Sequence, residues 1–163
     1  YGLAFEMDVG AYDPYKVGGP VIDLHIHDAD FVRWCFGDPA HVTSTGSINH
    51  VTTLYDYPAG PPHVVAEGGW LPAPGFEFRM RYIVAFDTAT VDFDLSRDPP
   101  LRLTHEGQTH PVPLDPLTGY DLQIRHLVEA ITTGRRDLRV TLPEAVAVTR
   151  LLEDEARSVE GQR

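Results

Sequence analysis

Apolar and polar positions fall into three regimes along the chain, and the first is the most unusual. Between Gly18-Gly19-Pro20 and Gly37-Asp38-Pro39, the residues Val21, Ile22, Leu24, Ala29, Val32, Cys35 and Phe36 cover well over half of a helical circumference. That spacing predicts a helix buried on most sides, with Cys35 as core filler. Pro20 suits a first helical position, where a missing N–H costs nothing, and Gly37 supplies the stop. One stripe breaks the apolar pattern. Asp23, His27, Asp30 and Trp34 recur at i, i+4, i+7 and i+11, so they share one face. Carboxylates and an imidazole are costly to bury unless they are paired, liganded or facing a wet cleft. A cleft is therefore expected, with Trp34 as packing at its end.

From Val42 onward the period shortens to two. Strands are predicted at Val42–Asn49, Val51–Tyr57, His63–Trp70, Phe76–Phe86, Thr90–Leu95 and Leu101–His105. The clearest places Phe76, Phe78, Met80, Tyr82, Val84 and Phe86 on one face against Glu77, Arg79 and Arg81 on the other. Such alternation predicts a sheet with one covered face, and consecutive strands with short turns favour antiparallel pairing. Leu3–Val9 is a further strand-like run, followed by a polar loop over residues 10–19. PAGPP at 58–62 and LPAPG at 71–75 read as turns rather than domain linkers. Two amphipathic helices complete the pattern. Thr118 to Gly134 aligns Tyr120, Ile124, Leu127, Val128 and Ile131; a second helix to about Val159 aligns Ala145, Val148, Leu152 and Ala156. Thr141 and Glu144 form a T-x-x-E capping box at its start.

Composition narrows the class. A chain of 163 residues suffices for one domain with a real core and is short for two. A net charge of −11, with Lys16 the only lysine, argues against nucleic acid or an anionic membrane surface as partner. No apolar run approaches the roughly 20 residues that span a bilayer, and no signal-peptide pattern opens the chain. The single cysteine excludes an internal disulfide and a cysteine-rich zinc site, and fits a cytoplasmic location. Because the chain opens at Tyr1 and enters a strand-like run at once, it is expected to be a piece of a longer polypeptide.

The candidate chemistry lies in DLHIHDAD, residues 23–30. Asp23 and His27 could be an ordinary surface pair, yet their apolar surroundings favour a site. An acid beside a histidine fixes its tautomer and raises its basicity, which makes a general base near neutral pH. The alternative is a metal-dependent hydrolase. His25-x-His27 preceded by Asp23 resembles the first-strand motif of amidohydrolases and of polymerase-and-histidinol-phosphatase phosphoesterases, in which alternate histidines of a strand face a metal. Those barrels need upward of about 200 residues. On a helix, moreover, His25 lies about 160° from His27, so the two could not share a metal. No metal site is expected.

The stretch GGPVIDLHIHDADFVRWCFGDP also resembles the G-G-x-x-x-D-x-x-x-H-D-x-D-x-x-x-W-x-x-G segment of the glucose-fructose oxidoreductase and inositol dehydrogenase family, Gfo/Idh/MocA. VVAEGGW at 64–70, the F-x-F-x-x-x-Y run from Phe76, GYDLQIRHLVEAITTG at 119–134 and a final helix led by LPEA follow in the family's order, so the likeness covers nearly the whole chain. The resemblance implies an α+β fold, an open, mostly antiparallel sheet with helices packed on one face, spanning residues 1–163 as a C-terminal substrate-binding and oligomerisation domain. The other sheet face would form a homodimer or homotetramer. An N-terminal Rossmann domain, outside this chain, would hold NAD or NADP and supply the lysine of a Glu-Lys-Pro motif. Hydride would pass between a sugar or polyol hydroxyl and the nicotinamide, with Asp23 and His27 as the catalytic pair. Trp70, Tyr120 and Asp30 are the substrate-binding candidates, although each also fits packing or surface roles. The chain departs from the full pattern in having neither G-x-G-x-x-G nor Glu-Lys-Pro. Alone it is therefore expected to be inactive, and a purely assembling domain with a vestigial site is the second functional expectation.

Overall fold

The computed structural model describes residues 19–47, 49–70 and 73–161. The predicted strand Leu3–Val9 and nearly all of the loop at 10–19 lie outside them. In chain order the elements are a π-helical turn Val21–His25, α1 (Ile26–Phe36), β1 (His41–Ser47), β2 (His50–Asp56), β3 (Val64–Gly69), β4 (Arg81–Ala85), β5 (Ala89–Asp94), β6 (Leu101–His105), β7 (Gln108–Pro111), α2 (Gly119–Thr133) and α3 (Leu142–Gly161). The class is α+β with antiparallel strands throughout, and the strands form two sheets, β1-β2-β3 and β4-β5-β6-β7. Two compact units result: Tyr1–Pro74 with Leu138–Arg163, and Gly75–Asp137. No helix among the described residues is long and apolar enough to cross a membrane.

In the first unit, register decides what is buried. Thr53 stands opposite Ser44 and Ala66, Tyr55 opposite Val42 and Val64, and Val51 opposite Gly46 and Gly68. Because strand side chains alternate, these positions share one face. That face carries the core: Tyr55, Val64 and Ala66 pack with Ala29 and Val32 of α1 and with Leu151 and Leu152 of α3. Buried polar groups on it are paired. The hydroxyls of Ser44 and Thr53 meet at 2.8 Å, and Ser158 Oγ accepts the Ser44 N–H at 2.9 Å, tying α3 to β1. On the reverse face Thr43, Thr45, Leu54, Val65 and Glu67 are exposed.

The two helices differ from their sequence patterns. In α1 only Ala29 and Val32 are buried, while Ile22, Phe36 and Cys35 are exposed and Trp34 is 80% exposed, stacked on Phe31 at 6.1 Å. The helix is covered on one side, by α3 and β3. An apolar pattern identifies surface that would gain from cover but not whether cover exists, so neither Cys35 nor Trp34 is core. In α3 the buried stripe is Val148, Leu151, Leu152 and Glu155, with Ala145 and Ala156 exposed. Two leucines bury more area than two alanines, and the helix is turned to favour them.

In the second unit the strand predicted at Phe76–Phe86 is confined to β4. Residues 76–80 stay outside the ladder; Phe76 and Phe78 are exposed, and the Arg79 guanidinium lies 5.8 Å from the Phe76 ring centroid. Tyr82 and Phe93, opposite each other in register, stack at 5.1 Å. Strand β7 was not predicted. Glu106 and Gly107, both at positive φ, form the two-residue turn that pairs His105 with Gln108. Helix α2 begins at a capping box between Thr118 and Asp121 and ends at Gly134 in the left-handed conformation. Its apolar stripe, Ile124, Leu127, Val128 and Ile131, is exposed, and only Ala130 is buried.

Candidate active site

The chain approaches the site through the π-helical turn, in which the Ile26 N–H reaches back to the Val21 carbonyl. Such turns are rare and tend to occur at functional positions. Asp23 lies within the turn and His27 just beyond it, and both side chains are exposed. Between them His25 points the other way and is fully buried. The H-x-H pair therefore diverges, as helical spacing predicts. Trp70, immediately after β3, donates its indole N–H to Asp23 Oδ2 at 3.3 Å. One predicted substrate residue is thus brought onto one predicted catalytic residue. Asp30 is exposed on α1, and Tyr120 is exposed on α2 in the second unit.

A second cluster lies beneath the turn. His25 Nε2 is 2.8 Å from Glu155 Oε2 of α3, and Nδ1 is 3.4 Å from Asp28 Oδ2. The Tyr55 hydroxyl donates to Glu155 Oε1 at 2.8 Å and lies 3.4 Å from His25 Nε2. Burial by itself would lower the His25 pKa. The flanking Asp28 and Glu155 carboxylates outweigh it and raise the pKa from 6.5 to about 9, so the ring is an imidazolium at neutral pH. Burial, reinforced by the Glu155 charge, pushes the Tyr55 phenol far above its ordinary value and keeps it a donor. Gly68 of β3 completes the enclosure: a Cβ there would lie 2.8 Å from His25 Cβ and 3.1 Å from Asp28 Oδ2. Among the described residues no group of three or more His, Cys, Asp or Glu is placed to hold a metal ion.

Sequence reasoning missed Glu155, Tyr55 and Gly68. The available signal was Glu155 itself, an acid spaced i, i+3, i+4 and i+7 with Val148, Leu151 and Leu152 on an otherwise apolar stripe. An acid in that position requires a buried cation or donor, and His25 was the histidine in apolar company.

Fold and site together define an α+β domain that presents an Asp–His pair on its surface above a buried imidazolium–carboxylate pair. A family described as the GFO/IDH/MocA C-terminal domain matches residues 7–98, more than half of the chain. The chain belongs to the Gfo/Idh/MocA family of oxidoreductases, as a C-terminal domain. Similar solved structures include UDP-N-acetylglucosamine 3-dehydrogenase GnnA from Acidithiobacillus ferrooxidans, with 19% identity, a TM-score of 0.70, and coverage of 91% of this chain and 49% of that one. An NAD binding oxidoreductase from Klebsiella pneumoniae matches with 17% identity, a TM-score of 0.70, and coverage of 90% of this chain and 50% of that one. At such identity the likeness establishes the fold. The chain spans about half the length of these proteins. No curated protein sequence matches it.

Proposed function

We propose that this chain is the substrate-binding and assembly half of an NAD(P)-dependent oxidoreductase acting on a sugar or polyol hydroxyl in the cytoplasm. The observation that carries the reading is the exposure of Asp23 and His27 on one helical turn, within a family of oxidoreductases, where a carboxylate and an imidazole can meet a ligand. His27 would take the hydroxyl proton as the carbon–hydrogen bond of the same carbon breaks. Asp23, steadied by the Trp70 indole, would orient the hydroxyl. Trp70 offers an aromatic wall for the apolar face of a sugar ring. Asp30 is proposed as a further hydroxyl partner. The chain has no glycine-rich dinucleotide turn, so the nicotinamide cofactor would be held mainly by the N-terminal domain. When bound by the N-terminal domain, NAD or NADP supplies the hydride acceptor.

The test uses the full-length protein with NAD+ or NADP+ and a panel of sugars and polyols, following nicotinamide reduction by absorbance. Turnover is expected, with His27→Ala lowering kcat on the order of 10²- to 10⁴-fold and Asp23→Asn lowering it as well. Equal rates with and without these changes would remove the pair from catalysis.

An assembly role is the second reading, favoured by the exposed apolar stripe of α2 and by Leu54 and Val65 on the uncovered sheet face. Pairing through that sheet face would give a homodimer or homotetramer. Sedimentation of the full-length protein distinguishes the cases: an oligomer without turnover supports assembly alone.

A further inference from the structure

The hydride-transfer reading leaves one buried cluster without a role. Resting on that reading, we propose that His25 and Glu155 are positioning residues, whose buried ion pair anchors the π-helical turn to α3 and thereby sets the placement of Asp23 and His27. His25 is two residues from each of them, so the backbone that carries the exposed pair is the backbone that carries the buried ring. A shift of that ring moves both.

Its anchors come from separate elements. Glu155 approaches from α3 at 2.8 Å, and Tyr55 from β2 holds the other Glu155 oxygen at 2.8 Å. Asp28 approaches from the ring's own helix at 3.4 Å. Strand β3 contributes no charge, only Gly68, whose lack of a side chain admits the ring. The same strand leads to Trp70, which bonds Asp23. The turn is thus gripped from beneath through His25 and from its rim through Asp23. Both ring nitrogens of His25 thus face a carboxylate, Nε2 that of Glu155 and Nδ1 that of Asp28. Apolar side chains of similar volume would often stabilise a core equally well or better. What the pair adds is a definite orientation at a turn whose wide hydrogen-bond spacing is otherwise easily lost.

Histidine-ring and tryptophan-indole NMR of the full-length protein tests the proposal. Glu155→Gln keeps the shape and an acceptor for Tyr55 while removing the charge. Its His27 ring and Trp70 indole signals are expected to shift while cooperative unfolding persists, and kcat with the sugar or polyol panel is expected to fall roughly 10- to 100-fold, the scale of a small misplacement of reacting groups. Should Glu155→Gln fail to fold, a pH titration of the unsubstituted protein decides: the His27 and Trp70 signals are expected to move in step with the His25 ring as it loses its proton near pH 9. Signals that stay fixed in the folded variant, or that stay fixed while His25 titrates, overturn the proposal. Coupled signals without turnover by the unsubstituted protein support the anchoring and overturn the hydride-transfer reading instead.

Discussion

The buried His25 makes stability depend on pH with a sign and size that follow from its surroundings. In the folded chain Asp28 and Glu155 raise its pKa to about 9, against 6.5 when the chain is unfolded. Below pH 6.5 both states hold the proton, and the full stabilisation by the ion pair is present. Between 6.5 and 9 only the folded state holds it, so stability falls as pH rises, by about 1.4 kcal/mol per pH unit. A gap of roughly two and a half units amounts to about 3 kcal/mol lost by the upper end of the window. His25→Gln removes this linkage. That variant also leaves Glu155 buried without its cation, at a cost of about 3 to 5 kcal/mol near neutral pH. The assay is urea unfolding of parent and variant in steps from pH 6 to 10, taking the difference in unfolding free energy at each step. Titrating groups outside the cluster cancel in that difference, and Tyr55 stays protonated throughout because its pKa is pushed far up. The parent's advantage should shrink by about 3 kcal/mol across the window. A difference that stays flat would refute the imidazolium assignment.

Two further substitutions probe the packing around the same cluster. Gly68→Ala places a methyl group 2.8 Å from His25 Cβ and 2.9 Å from its Nδ1, so the ring or the strand must give way; urea unfolding should show a loss of about 1 to 3 kcal/mol, and a change within about 0.5 kcal/mol would show that the enclosure is loose. Leu152→Ala empties a site only 2% exposed where α3 meets the sheet, and thermal or urea unfolding should register about 2 to 5 kcal/mol.

How much of this was legible depended on whether the information was local. The capping box at Thr141 was legible because it is closed within four residues, with Glu144 Oε2 at 2.6 Å from the Thr141 N–H; the box between Thr118 and Asp121 was not read, since Asp121 replaces the Glu or Gln of the usual pattern. The paired strands β1 and β2 were legible because alternation and a short connection specify them together. β7 was not, since Gln108 to Pro111 has no apolar alternation, and its pairing rests on the Glu106-Gly107 turn alone. Phe76 to Met80 failed in the opposite direction. Its alternation is strong, yet the ladder opposite it ends near Asp94, and alternation cannot supply a partner strand. The apolar stripe of α2 was read correctly as a stripe, but which surface covers it is not encoded in its own periodicity.

The site divides along the same line. That His25 and His27 point apart follows from helical geometry and needs no other part of the chain. That His25 is charged follows only from Glu155, 130 positions away in sequence, and from Asp28 beside it. A histidine in apolar surroundings would ordinarily be neutral, since burial disfavours its cation. An acid on an apolar stripe would ordinarily be the defect of its helix. Each anomaly resolves the other once the two are paired, because the buried imidazolium supplies the counter-charge that the buried carboxylate requires. The exposed pair obeys the reverse logic. Asp23 and His27 instead reach the surface, on a helix with apolar neighbours. On the proposed reading a ligand reaches them from the solvent side, and His25 between them, paired with Glu155, sets their placement.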